Sequence, residues 1–326
     1  MFAVRGVAVS FSIFFLLYSA LTLVVRLVWR RVWNDRQQGS ARSCADTLFL
    51  LRMIPFVVSA VATLVFAVPS FLLLEPRSVR ESMSAVLMML SLCGMTVMLA
   101  GMWNATAALV RAGRTVARWS NGARVIGRSH ADSGQPVLLL RTAGTAPPLT
   151  AAGILRPRVW LSDSAEFVLT DRELQCALRH EVVHVRRWDN LRKLLLRVVA
   201  CPGMTQLESA WREATEMAAD DAAVSNASEA LDLAAAVIKL SRLAPPAAPG
   251  ELTTALVHSP AESVNARVER LIAWREWQNS AAGSSFRYSP YSLCSLCAAA
   301  AAIATIAVNY APLLVRVHAA TEWLVR

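Results

Sequence analysis

Hydrophobic residues in this chain fall in long uncharged runs before any shorter period begins. No charged side chain lies between Arg5 and Arg26, Arg52 and Glu75, Glu81 and Arg111, or Arg287 and Arg316. Each run reaches the roughly 20 helical residues needed to cross a hydrocarbon core of about 30 Å. In lipid the backbone must satisfy its own hydrogen bonds, and a helix does so. The pattern predicts four transmembrane helices, over about 7–25, 53–74, 83–110 and 288–315, with a short tail at 316–326. A cleaved signal peptide fits the first run poorly. The run is long for a signal, and Ser19-Ala20 is followed by more apolar sequence.

The segment 112–287 reads differently. Residues 136–140 and 158–162 are short apolar runs of strand length, and Gly153 and Pro157 punctuate the approach to the second. Thr170 with Glu173 three residues on forms a capping box, followed by Leu174, Leu178, Val182 and Val183 at helical spacing. That helix reaches Val185 or beyond. Further helices are expected near 190–200, 208–224, 229–242 and 262–278, with a Pro- and Ala-rich loop at 244–250. The fold class is therefore mainly α: a four-span helical membrane protein, 1–111 and 288–315, carrying an inserted α+β domain with a small sheet.

Composition agrees. The chain is 55% hydrophobic and 17% charged, where a soluble domain carries about 25% charged residues. Net charge is +10, and only Lys193 and Lys239 are lysines. The first loop holds Arg30, Arg31, Arg36 and Arg42, and the segment after the third run opens with Arg111, Arg114, Arg118, Arg124 and Arg128. The second loop has only Arg77 and Arg80, balanced by Glu75 and Glu81. The positive-inside rule places the first loop and 112–287 in the cytoplasm and both termini outside. Arginines beside spans face anionic lipid, so the bilayer is a partner and direct nucleic-acid binding is not expected. Of six cysteines, Cys294 and Cys297 form a CxxC inside the fourth run, where packing is the natural role. A transporter would need ionisable groups within the spans. The runs offer only Asn104, Asn309 and a few hydroxyls.

The chemistry is concentrated on the capped helix. His180-Glu181-Val182-Val183-His184 is an HExxH. Residues four apart on a helix share a face, so both imidazoles can meet one zinc ion. Glu181 beside them is placed to take a proton from water on the metal. Two of the five histidines sit at this spacing. Such a pair can also be two surface histidines on an amphipathic helix. The helix near 208–224 offers a third ligand in Glu216. Asp220, four residues on, is placed to accept a hydrogen bond from a ligand imidazole. Ala218 and Ala219 permit close helix approach. Glu213 is the runner-up ligand, and a solvated helix face is the alternative for Glu216. His130 reads as a loop residue, and His318 lies beyond the fourth run.

The block from Leu178 to Asn190, with HEVVH followed by Val185-Arg186-Arg187-Trp188-Asp189-Asn190, resembles that of BlaR/MecR-type membrane zinc metallopeptidases. Gly153 to Leu161 resembles the Gly-x-x-x-Pro strand of that family. Glu216 to Asp220 resembles its acidic helix, and that of HtpX-type membrane proteases. His258-Ser259-Pro260 with Arg267-Val268-Glu269-Arg270-Leu271 resembles its HP…RI..L element.

The resemblance implies a zincin-like (gluzincin-like) cytoplasmic domain in a bacterial-type cytoplasmic (inner) membrane. It implies one Zn2+ held by His180, His184 and Glu216, with Glu181 as general base, Asp220 supporting a ligand, and Asp189 orienting either the helix end or a ligand. The resemblance names no residue for the oxyanion, for which Arg267 and His258 are the candidates. Arg158–Ser162 would be the edge strand that holds an extended peptide. The substrate would be a cytoplasmic or membrane-proximal protein, by resemblance a winged-helix repressor of the BlaI/MecI type in a signalling pathway. The family's sensors carry a penicillin-binding domain with an S-x-x-K motif. Here Asn190 stands three before Lys193 and Ala236 three before Lys239, so that sensor is expected to be missing. The alternative function is a non-catalytic membrane scaffold that keeps the fold. The intact Glu181 weighs against it.

Overall fold

The computed structural model describes residues 2–36, 40–76, 83–129, 137–142, 147–199, 203–243, 252–255, 261–274, 305 and 308–325. The protein is mainly helical, with a small mixed sheet. Its chain divides into two compact units. One contains Met1–Arg30, Leu50–Ala100 and Ser284–Arg326, and the other contains Arg31–Phe49 and Gly101–Gly283.

Three helices are long and apolar enough to cross a membrane: Phe2–Asn34, Ala41–Leu74 and Ala85–Ser120. They overrun the expected spans, because the arginine-bearing segments that flank the apolar runs continue the helix. We call them α1 (Phe2–Arg36), α2 (Ala41–Ala62), α3 (Val68–Leu74) and α4 (Ala85–Ser120). A π-helical turn, Thr63–Ala67, joins α2 to α3. The reason lies in Pro69, which has no N–H and displaces the carbonyl four residues back. That carbonyl belongs to Val65, and the Tyr310 hydroxyl donates to it at 2.7 Å. Small residues set the closest approaches in this unit. A Cβ on Gly94 would meet the Phe11 carbonyl oxygen at 2.4 Å. Leu23, Leu64, Leu73 and Trp103 are exposed, as lipid-facing side chains are.

The expected fourth span, 288–315, and the Cys294/Cys297 pair fall largely outside the described residues. The last described helix runs Tyr310–Val325, through the segment expected as a tail. Among the described residues Cys44, Cys93 and Cys176 form no disulfide.

The second unit holds a five-stranded sheet. Its strands are β1 (Arg124–Ser129), β2 (Val137–Thr142), β3 (Leu149–Ala152), β4 (Arg158–Ser162) and β5 (Thr253–Ala255), in the order β1-β2-β4-β3-β5. β2 and β4 are parallel and the other pairs antiparallel. The sequence indicated two of these five. The others are short, and their partners lie far along the chain.

The expected edge strand is corrected here: Arg158–Ser162 is central, between β2 and β3. Its run Val159-Trp160-Leu161 is buried on both faces, as a central strand must be. Val159 and Leu161 pack in one cluster with Cys176, Ala177, Leu233 and Val237, while Trp160 packs with Trp119 of α4. The edges of the sheet are β1 and β5.

Helices α5 (Asp163–Val168), α6 (Asp171–Arg186), α7 (Asp189–Val198), α8 (Thr205–Ala223), α9 (Ala227–Leu243) and α10 (Ala261–Ile272) complete the unit. The Thr170–Glu173 capping box is formed. Lys239 of α9 adds a second tie to Glu173 at 2.8 Å.

Candidate metal centre

Helix α6 buries the stripe Glu173, Cys176, Ala177, His180, Glu181 and His184. The spacing is that of one helical face, so the polar residues of the HExxH are carried into the interior by their apolar neighbours. His180 and Glu181 are fully buried, and His184 nearly so. Helix α8 turns Ala214, Ala218 and Ala219 inward. Side chains this short bring Glu216 to both histidines.

Glu216 Oε2 lies 3.5 Å from His180 Nε2, and Oε1 lies 3.7 Å from His184 Nε2. The two Nε2 atoms are 3.0 Å apart. One ligand atom from each of the three residues fits within 4.8 Å. Glu213, the runner-up, is outside this group.

Both outer ring nitrogens face carboxylates. His184 Nδ1 is 2.7 Å from Asp189 Oδ2. His180 Nδ1 is 3.0 Å from Asp220 Oδ1, off the line of an ideal hydrogen bond. Carboxylates at Nδ1 favour a proton there, which leaves the Nε2 lone pairs pointing at one another. Two buried lone pairs at 3.0 Å are favourable only with a cation or proton between them. Two imidazoles bound at about 2.05 Å in a tetrahedral zinc site stand roughly 3.3 Å apart. The donor set and its spacing fit a zinc ion.

Arg267 of α10 closes the site from behind. Its guanidinium donates to Asp220 Oδ2 from Nε at 2.8 Å and to Oδ1 from Nη2 at 2.7 Å. Nη1 lies 3.1 Å from Glu216 Oε2. With these contacts to the two acids, Arg267 is a clamp on the ligand shell. His258 lies outside the described residues, as does His130. His318 sits in the other unit, 3.9 Å from Glu75.

Burial would raise Glu216, but His184 and Arg267 hold it well below the usual carboxylate range. Burial would likewise raise Asp220, yet Arg267 brings it down to about 2. Burial pushes Glu181 up to about 7 against the pull of the two imidazoles. Burial disfavours charge on His184, but Glu216 and Asp189 outweigh it and hold it up at about 10.

Glu181 is also tied to the sheet: the Ala151 amide of β3 donates to its Oε2 at 2.9 Å. Asn190 fixes the same strand, its Nδ2 donating to Ala151 O at 3.3 Å and Gly153 O at 3.1 Å. Lys193, one turn along α7, donates to Thr253 O of β5 at 2.7 Å. These strand anchors were not read from the sequence. Asn190 and Lys193 follow Asp189 at positions that face the same way on α7, which is the signal that could have found them. Between α6 and α7, Trp188 adopts φ 58°, a conformation that costs a bulky residue about 1 kcal/mol or more. This tight turn sends α7 back so that Asp189 reaches His184.

A sequence model of the BlaR1 peptidase M56 family matches residues 13–271. No curated protein matches the chain.

Proposed function

The chain belongs to the BlaR1 peptidase M56 family, and on that premise we propose that it is an integral-membrane, zinc-dependent endopeptidase. The observation that carries this reading is the meeting of His180, His184 and Glu216 around one point, with Glu181 on the same helix. A zinc ion held by these three supplies a Lewis acid that lowers the pKa of water toward 7 and polarises a peptide carbonyl.

The chain's own residues do the rest. Glu181 accepts the proton of the attacking water and passes it to the leaving amine. Its second duty is geometric, since Oε2 is held by the Ala151 amide. Asp220 and Asp189 orient the two imidazoles, and Arg267 keeps Asp220 and Glu216 ionised and in place.

The domain is read as zincin-like. An extended substrate adds beside β5, the sheet edge next to β3, by main-chain hydrogen bonding. The substrate class is a cytoplasmic or membrane-proximal protein, with a BlaI/MecI-type repressor as the specific candidate. The fourth span at 288–315, the cytoplasmic placement of 112–287 and the inner-membrane location belong to the same reading.

The test compares wild type with Glu181→Gln for zinc content and for cleavage of casein or a repressor. Zinc retained with cleavage lost supports the assignment. Cleavage that persists in the variant overturns the mechanism, and a zinc-loaded wild type that cuts nothing favours the scaffold reading.

A further inference from the structure

Helix α2 starts inside the catalytic unit: residues 41–49 belong with the sheet and α6–α10 rather than with the apolar unit that holds the rest of the helix. Two kinds of contact anchor it. The Phe49 ring packs against Trp211 of α8, centroids 6.2 Å apart, with the Arg192 guanidinium 5.3 Å from its face. Asp46 Oδ1 accepts from Arg192 Nη1 at 2.6 Å and from Arg187 Nη2 at 3.4 Å.

Arg187 is the informative member. Its side chain is 11% exposed, and its Nε faces Asp189 Oδ1 at 3.9 Å. Neither of those two buried atoms makes a hydrogen bond. The other oxygen of Asp189 holds His184 Nδ1. A hydrogen bond at each end and one ion-pair approach of 3.9 Å between them therefore link Asp46, Arg187, Asp189 and His184, from a candidate membrane helix to a candidate metal ligand. Burial disfavours the charge on Arg187, and Asp189 and Asp46 are the two acids that sustain it. Removing Asp46 leaves Arg187 with one partner, so its guanidinium must shift and Asp189 with it.

We propose that Asp46 is a positioning residue of the metal centre, acting through Arg187 and Asp189 on the ring of His184. Asp46 lies on the stretch of α2 that belongs to the catalytic unit, so it acts on the ligand shell from within that unit. The inference rests on the zinc reading above.

The experiment uses the full chain in detergent micelles or nanodiscs and measures zinc affinity by competition with a chromogenic chelator. Asp46→Asn is expected to weaken zinc roughly three- to tenfold, below the roughly 10–100-fold typical of a direct outer-shell partner. In an Asp189→Asn background, where the link is already cut, Asp46→Asn is expected to add nothing. Phe49→Ala removes the apolar anchor alone, and is expected to lower thermal stability while leaving zinc affinity unchanged. The proposal is overturned by an Asp46→Asn affinity equal to wild type. It is equally overturned by the same loss in both backgrounds, or by an equal loss in Phe49→Ala. A wild type that binds no zinc overturns this proposal and the zinc reading together, whereas the other outcomes spare the latter.

Discussion

Arg267 grips Asp220 with two parallel hydrogen bonds, at 2.8 and 2.7 Å, inside a site where both side chains are nearly inaccessible to water. Breaking a buried pair from one side leaves an uncompensated charge and costs about 3–5 kcal/mol. Arg267→Met is expected to destabilise the catalytic unit by that order and to reduce bound zinc. Arg267→Lys keeps the charge but loses the fork and is expected to fall between. Denaturant unfolding with zinc analysis checks both.

Glu181→Gln removes the proton acceptor and leaves the three ligands intact. Peptide hydrolysis is expected to drop by roughly 10²–10⁴-fold, with zinc stoichiometry unchanged. Single-turnover cleavage beside metal analysis measures this.

The two candidate third ligands separate cleanly. Glu216→Ala is expected to abolish stable zinc binding, whereas Glu213→Ala, outside the cluster, leaves it intact. Asp220→Asn is expected to weaken zinc by about 10–100-fold. Chelator competition ranks the three, and dialysis of wild type against a strong chelator is expected to remove activity that added zinc restores.

Acid stability has a local source at Glu173. Burial would raise this carboxylate, but Lys239 and the Thr170 backbone amide hold it below its ordinary range. A depressed carboxylate contributes stability that is fully present above the unfolded value, about 4.3, and is lost as pH falls through the folded value. Glu173→Gln keeps an acceptor for the capping box and loses the ion pair. The melting-temperature gap between wild type and variant is expected to be positive at pH 7 and to close as pH drops below about 4. A gap that stays constant across that range refutes the assignment.

What could be read in advance was whatever depends on neighbours within a turn or two. The HExxH face, the Thr170 cap and the long apolar helices follow from side-chain spacing, because a helix fixes which residues share a face before any packing occurs. Glu216 and Asp220 were readable as a pair for the same reason, and α8 brings them to the α6 face through its alanines. Asp189 stood in the motif block without a settled duty, and the turn at Trp188 supplied one.

Everything that joins distant segments was decided by the fold. The place of Arg158–Ser162 at the middle of the sheet depends on β2 on one side and β3 on the other. Pairing partners of a strand are chosen by the chain as a whole. Arg267 becomes a clamp only because α10 returns to α8, where its partner Asp220 lies 47 residues earlier in the chain. Asp46 reaches Arg192 across 146 residues. Local spacing tells which atoms point the same way. Only burial and closure of the tertiary core determine which charges must find one another once water is excluded.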